Sequence, residues 1–295
     1  MNAPNPSWTS RAMETTASKV YRLARGVRNY ANPIALAWQK LAVHADPIEI
    51  TDRAAGLSFL ARPKAFQMFG EVFHLHLYDI PWVPIRAGDT VIDVGANHGF
   101  FSLYAASQGA TVYAFEPQRD TFELLKQNIR RNGLEDRVIP FCCAIAGAKG
   151  TSTLAITEEL AGGMSSINPT FTKASGAKVI DSYDVETISL AGLIEEKAIK
   201  RIRILKLDCE GSELMILRSL SPEQWRVIEG IAAEAHPEAY PSTELFATIQ
   251  QSGLYQIGTL DTVRHYGIGS DIFHCAQSEV VMNALGKGNA IGKDS

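Results

Sequence analysis

Hydrophobic and polar positions along the chain change rhythm at about residue 87. From there to about residue 280, short β-branched or aliphatic runs alternate with stretches of helical periodicity. Thr90–Val94 (TVIDV) follows the turn signal Ala87-Gly88-Asp89 and predicts a buried strand. Gly99–Gln108 predicts a helix, stopped by Gly109. TVYAF, ending at Phe115, predicts a second strand, and Phe122, Leu125 and Ile129 recur at helical spacing until Asn132-Gly133. RVIPF to Phe141, IRILKLD to Asp208 and VIEGIAAEAH to His236 supply three further strands. Leu254–Leu260 and Asp271–Ala276 read as a closing antiparallel pair. Strands separated by helices of roughly 10 to 15 residues fold as a mainly parallel sheet with helices on both faces. Ligands of such sheets bind beyond the carboxyl ends of the strands, so functional residues are expected just after each one.

They collect there. The first strand runs into Asp93-Val94-Gly95-Ala96-Asn97-His98-Gly99-Phe100-Phe101. A glycine turn between strand and helix lets a ligand approach the backbone, and the helix start offers free amides. The dinucleotide fingerprint needs glycine where Asn97 stands, and the acid at the turn suits a cationic or hydroxyl-bearing ligand better than a diphosphate. Glu116-Pro117 ends the second strand at a distance suited to a ribose-binding acid, whose carboxylate accepts two hydrogen bonds from a diol. Phe141-Cys142-Cys143-Ala144-Ile145 is an apolar bend suited to one wall of an adenine slot, although buried cysteines are also ordinary core.

The densest constellation is Lys206-Leu207-Asp208-Cys209-Glu210-Gly211-Ser212-Glu213. Lys206 and Asp208 share a strand face, Glu210 lies in the turn beyond, and Glu213 opens a helix where an anion is favoured. A structural ion-pair network is the alternative. Glu234 and His236 end the fifth strand on one face, and His236 reads as a proton acceptor because imidazole titrates near physiological pH. His74 and His76 alternate in a way that suggests a polar strand face.

Composition narrows the classes. With 295 residues, 46% hydrophobic and 20% charged, the chain has ordinary globular composition and room for one large domain with an appendage. A net charge of -4 lacks the basic footprint of a nucleic-acid binder. The four cysteines have neither zinc-knuckle spacing nor the density of a disulfide scaffold. No apolar run approaches the ~20 residues of a membrane helix, and the start lacks a signal core, so a cytoplasmic protein is expected. The expected division is an extension over 1–86, a ligand-binding domain over 87–282 and a tail over 283–295.

DVGANHGFFSL, FEPQRDTFELLKQNIRRNG and ILKLDCEGSELMIL, in this order and spacing, resemble the FkbM family of S-adenosylmethionine-dependent methyltransferases. The resemblance spans about residues 70 to 280. It implies a class I methyltransferase fold, a Rossmann-like seven-stranded sheet with a reversed final hairpin. It also implies methyl transfer, usually to a hydroxyl of a sugar, polyketide or other secondary metabolite. Carried over by position, Asp93, Gly95, Ala96, Asn97, Gly99 and Phe100 belong to the turn around the methionine part of S-adenosylmethionine. Glu116 and Pro117 match the ribose site and Cys143-Ala144 the adenine wall. Lys206, Asp208, Glu210 and Glu213 match the K-x-D-x-E-G-x-E signature where cofactor and acceptor meet. Ser189-Leu190-Ala191 departs from the Leu-Asp pair that family members often carry before that signature.

A neutral alcohol must lose its proton as the methyl arrives, and Asp208 or His236 is expected to take it, with Glu210 and Glu234 orienting the acceptor. A divalent ion is not expected; one held there would sit on Asp208, Glu210 and Glu234. The acceptor is expected to be a small molecule rather than nucleic acid, bound by the N-terminal part and the loops around 158–180. Lys19, Arg22, Arg25 and Arg28, followed by apolar residues around Trp38, suit a lid, a homodimer contact, membrane-surface adhesion or a packed helix. The alternatives are an N-methyltransferase, against which Asp208-Cys209-Glu210-Gly211 lacks the Asn/Asp-Pro-Pro-Tyr/Phe element, and a non-catalytic cofactor binder.

Overall fold

The computed structural model describes residues 47–62, 65–80, 82–157, 165–253, 255–258 and 272–283. The basic segment at Lys19–Arg28, Trp38, His44, His265 and the tail after 283 lie outside the described residues.

The central sheet has seven strands in the order β11-β12-β10-β9-β3-β4-β5. They are β3 (Thr90–Val94), β4 (Thr111–Phe115), β5 (Val138–Phe141), β9 (Ile204–Leu207), β10 (Gly230–Glu234), β11 (Tyr255–Gly258) and β12 (Ile272–Gln277). Neighbours from β10 through β5 run parallel, whereas β12 pairs antiparallel with both β10 and β11. The expected reversed hairpin is therefore present. β9 is buried throughout and β10 at every position but Glu234, which is why they read as continuous apolar runs instead of alternating ones. The helices that matter for the cleft are α2 (Phe100–Ser107), α3 (Arg119–Arg131) and, after β9, α5 (Glu213–Arg218). Leading out of β3 and β9 in opposite directions across the sheet, the chain opens a crevice at their carboxyl ends. No helix among the described residues is long and apolar enough to cross a membrane.

The described part of the N-terminal stretch joins this core. β1 (Ile48–Asp52) and β2 (Leu57–Ala61) form an antiparallel hairpin, followed by α1 (Phe66–Phe73). β2 alternates buried and half-buried positions as a strand with one covered face should. Phe59 meets Phe69 edge-on at 5.9 Å and Phe100 of α2 at 5.1 Å, so hairpin, α1 and α2 share one aromatic cluster. The aromatic richness read from the sequence is core, as expected for Phe66, Phe69 and Phe73. His74 and His76 do not form a strand face; they follow α1 in a turn where His76 takes φ 52.

Polar side chains complete the union. Asn128 on α3 is fully buried; its Nδ2 donates to the carbonyls of Leu60 and His98, and its Oδ1 accepts from the Leu60 N–H. One turn on, Asn132 makes the same two-way exchange with the backbone of Ser58. Two amides one helical turn apart thus act as a neighbouring strand for β2. Asn128→Ala strands three buried backbone groups and leaves a void, so it should destabilise by about 3 kcal/mol. In thermal denaturation that corresponds to a midpoint lowered by roughly 6–12 °C.

A second sheet, absent from the sequence expectations, covers the crevice's flank. β6 (Ala144–Ala146) pairs parallel with β8 (Val179–Ser189), which pairs antiparallel with β7 (Gly150–Thr157). β7 and β8 are exposed or half-buried at nearly every position and rich in Ser, Thr and Asp, so no apolar period announces them. Within the stretch expected to be loop at 158–180, the described residues include α4 (Pro169–Ala174), capped by Asn168, whose Oδ1 accepts from the N–H groups of Thr170 and Phe171.

Candidate active site

A cavity of about 470 Å³ opens at the carboxyl ends of β3, β4, β9 and β10. Its lining includes Gly95 and Asn97 after β3, Glu116 and Pro117 after β4, and Cys143 and Ala144 before and within β6. Asp208 and Glu210 follow β9, and Glu234 and His236 end and follow β10. Gln67, Met68 and Glu71 of α1 and Phe171 of α4 close the sides.

The floor depends on one close approach. Gly95 adopts φ 78, and a Cβ built on it would stand 1.8 Å from the Asp208 carbonyl oxygen. Lys206 cements the same junction: its Nζ donates to the Gly95 carbonyl at 2.8 Å, pairs with Asp93 at 3.1 Å and reaches Asp208 at 3.5 Å. Burial works against the Lys206 charge, yet Asp93 and Asp208 together hold its pKa above the usual range. Ser102 donates to the other oxygen of Asp93 at 2.6 Å. Asp93 and Lys206 are therefore a buried pair beneath the floor, and neither lines the cavity.

Glu116 is held by two backbone donors. Asn97 N–H reaches its Oε2 at 3.0 Å and Gln118 N–H its Oε1 at 2.8 Å, fixing the carboxylate at the rim. Burial raises its pKa to about 7, against the lowering effect of those two hydrogen bonds. Asn97 adopts φ 51, which asparagine tolerates, and its Oδ1 contacts the His98 backbone N–H and ring. Burial then keeps the His98 imidazole neutral, with its pKa pushed down to about 3.

Around Asp208 the negative groups crowd. The Tyr78 hydroxyl donates to its Oδ2 at 2.9 Å. Burial, aided by the Asp208 charge, raises Glu234 well above the usual carboxylate range, and burial likewise raises Glu71. On the other side His236 lies between two carboxylates, Glu213 at 2.9 Å from Nδ1 and Glu210 at 3.4 Å from Nε2. Burial opposes its charge, but these partners outweigh burial and push its pKa up to about 12. The Tyr240 hydroxyl at 2.7 Å and the Cys209 N–H at 2.9 Å complete the hold on Glu213. Burial raises the pKa of Glu213, but His236 and these backbone contacts lower it further, to about 2. Glu210, with φ 55, is pushed up to about 7 chiefly by burial.

The structure brings Gly95, Asn97, Glu116, Pro117, Cys143, Ala144, Asp208, Glu210, Glu234 and His236 to one cavity. Asp93, Ala96, Gly99, Phe100 and Lys206, also expected at the site, do not line this cavity. Gly99 caps α2 while packed on Leu125 and Leu103, and Phe100 belongs to the aromatic cluster with Phe59 and Phe69. His236, the other expected proton acceptor, lies between two carboxylates that favour its charged form. Of the suggested ion ligands, Asp208 and Glu234 converge with His236, all within 4.8 Å, and Glu210 is outside that group. Sequence reasoning missed Glu71, Tyr78 and Tyr240, because their roles arise from long-range contacts with no linear spacing. The one available signal was that a buried tyrosine needs a partner for its hydroxyl.

Apoprotein stability should fall as pH rises from about 5 to 8. Glu116 and Glu210, raised from 4.5 to about 7, keep protons in the folded state that the unfolded chain has released. His236, raised from 6.5 to about 12, contributes fully below pH 6.5 and loses that contribution above it. Glu213, lowered to about 2, contributes above pH 4.5 and is lost below. Thermal unfolding across pH should therefore peak near pH 5; a maximum at pH 8 contradicts this electrostatic picture.

Residues 93–252 match the Methyltransferase FkbM domain family. Methyltransferase sdnD of Sordaria araneosa is 26% identical over 218 residues, covering 66% of this chain and 83% of its own length. The 31-O-demethyl-FK506 methyltransferase FkbM of Streptomyces tacrolimicus is 27% identical with the same coverage, 66% and 83%. Among solved structures, methyltransferase FkbM of Methylobacillus flagellatus KT is 17% identical, with TM-score 0.45, over 86% of this chain and 60% of that one.

Proposed function

The chain belongs to the FkbM methyltransferase family, and on that premise we propose that it transfers a methyl group from S-adenosylmethionine to a hydroxyl of a small molecule. The observation that carries this reading is the pairing, in one cleft, of a backbone-clamped rim carboxylate with an acid-rich mouth. The Asn97 N–H to Glu116 contact, which joins the turn after β3 to the rim acid, supports this reading.

The donor set suits the cofactor. Glu116 keeps lone pairs for a ribose diol beyond the two amides it accepts from. Pro117, Cys143 and Ala144 offer an apolar wall for adenine, and Gly95 and Asn97 border the space for the amino-acid end. Glu71, Asp208, Glu210, Glu234 and Glu238 line the cleft, against the single cation His236 among the described lining residues. With no Lys or Arg among the described lining residues, the cleft disfavours the diphosphate of a dinucleotide. When bound, S-adenosylmethionine supplies a methyl already activated for displacement.

The protein's part is positioning and proton transfer. Lys206 and Tyr78 fix the Asp208 carboxylate, which takes the proton from the acceptor hydroxyl as the new bond forms. Glu234 and Glu210 orient that hydroxyl, while His236, held by Glu213, keeps the β9 and β10 turns in register. α1 supplies the acceptor wall through Gln67, Met68 and Glu71. The hydroxyl reading also draws on the Streptomyces tacrolimicus relative, described by a 31-O-demethyl acceptor.

Calorimetry with S-adenosylhomocysteine tests the reading. Uptake by the unaltered chain is expected, and Glu116→Ala should weaken it about 100-fold, near 2.7 kcal/mol, as two hydrogen bonds to a charged group are lost. No uptake at all, or full affinity in Glu116→Ala, would remove it.

A further inference from the structure

Asp208, Glu234 and His236 each direct one oxygen or nitrogen to a common region of the cleft, all within 4.8 Å of one another. We propose that these three side chains hold a divalent metal ion of the Mn²⁺ class, with open positions facing the acceptor. Only the last clause rests on the methyl-transfer reading.

His236 is 7% exposed, and its two ring nitrogens have different surroundings. Nδ1 is backed by Glu213 at 2.9 Å, and Glu213 is itself fixed by Tyr240 and the Cys209 N–H. A carboxylate behind one nitrogen is the arrangement that orients a histidine to bind metal through the other. Nε2 has as its nearest acid Glu210 at 3.4 Å, beyond ordinary hydrogen-bond length. The Glu234 side chain lines the cavity without a hydrogen bond or ion pair to any described residue. Tyr78 and Lys206 both engage Oδ2 of Asp208, which leaves Oδ1 without a described partner.

The ligand chemistry selects the ion. Calcium and magnesium favour all-oxygen cages, whereas an imidazole with two carboxylates suits a borderline first-row divalent ion. Three protein ligands leave positions for water or a hydroxyl, whose pKa a bound ion lowers. Binding needs a neutral imidazole at Nε2 and an ionised Glu234 carboxylate, so the ion displaces the protons held by these ligands to solvent.

The experiment uses the full chain, stripped by chelator and titrated with Mn²⁺ by calorimetry in two buffers of different ionisation enthalpy. One ion per chain is expected, with proton release visible as a buffer-dependent heat. Glu234→Gln should weaken Mn²⁺ uptake at least tenfold, as should His236→Gln if it folds, while Glu123→Gln on α3 leaves it unchanged. Glu234→Gln keeps the size of the side chain and breaks no side-chain hydrogen bond to a described residue, so its thermal midpoint should not fall. Absence of saturable uptake up to millimolar Mn²⁺, or unchanged uptake in Glu234→Gln, overturns the proposal. S-adenosylhomocysteine uptake by the chelated protein is measured in parallel. Its retention without Mn²⁺ uptake sinks the metal site alone, and its loss with Mn²⁺ uptake intact sinks the methyl-transfer reading alone.

Discussion

Asp208→Asn should lower methyl transfer by about 10²- to 10⁴-fold while S-adenosylhomocysteine affinity changes by no more than a few-fold. The substitution keeps the size of the side chain and an oxygen for the Tyr78 hydroxyl, which donates at 2.9 Å. Lys206 retains Asp93 at 3.1 Å and the Gly95 carbonyl at 2.8 Å, so no buried cation is stranded. What disappears is the charge that takes the acceptor proton. Single-turnover rates measured beside calorimetry separate the chemical step from binding. Undiminished turnover would take Asp208 out of the proton path and pass that role to Glu234, the other acid of the mouth.

Gly95→Ala should abolish cofactor uptake and destabilise the chain by about 2–5 kcal/mol. Two costs add. A non-glycine residue in the left-handed region costs roughly 1–2 kcal/mol, and φ is 78 here. The new Cβ would lie 1.8 Å from backbone, the Asp208 carbonyl, which yields less readily than a side chain and adds roughly 1–3 kcal/mol. Relief requires the β3 turn to part from the β9 turn, which breaks the Lys206 contact and moves Asp208 away from Tyr78. Chemical denaturation and calorimetry report the two effects. A variant that binds S-adenosylhomocysteine normally would mean that the turns need not touch for the site to form.

These two positions also divide what was legible early from what was not. Gly95 and Asp208 stood out in the chain because each ends a β-branched run, and a parallel sheet places its ligand there. That they support each other was invisible, since 113 residues of sequence separate them and only the β3–β9 pairing closes the gap. His236 shows the limit more sharply. Its place after a strand was readable, but the two carboxylates that flank it, Glu210 and Glu213, come from the turn and helix after another strand and favour its charged form.

By itself the sequence determined the parallel sheet, its reversed closing hairpin and the strand ends that carry the chemistry, because burial on both faces writes uninterrupted apolar runs into the chain. Tertiary structure alone decided three things. It decided that the N-terminal hairpin completes the core through Asn128 and Asn132, that a polar sheet of β7 and β8 with the buried β6 flanks the cleft, and that Lys206 and Asp93 brace the floor from below. Those features rest on polar contacts between distant residues, and a polar side chain leaves no periodic mark that names its partner.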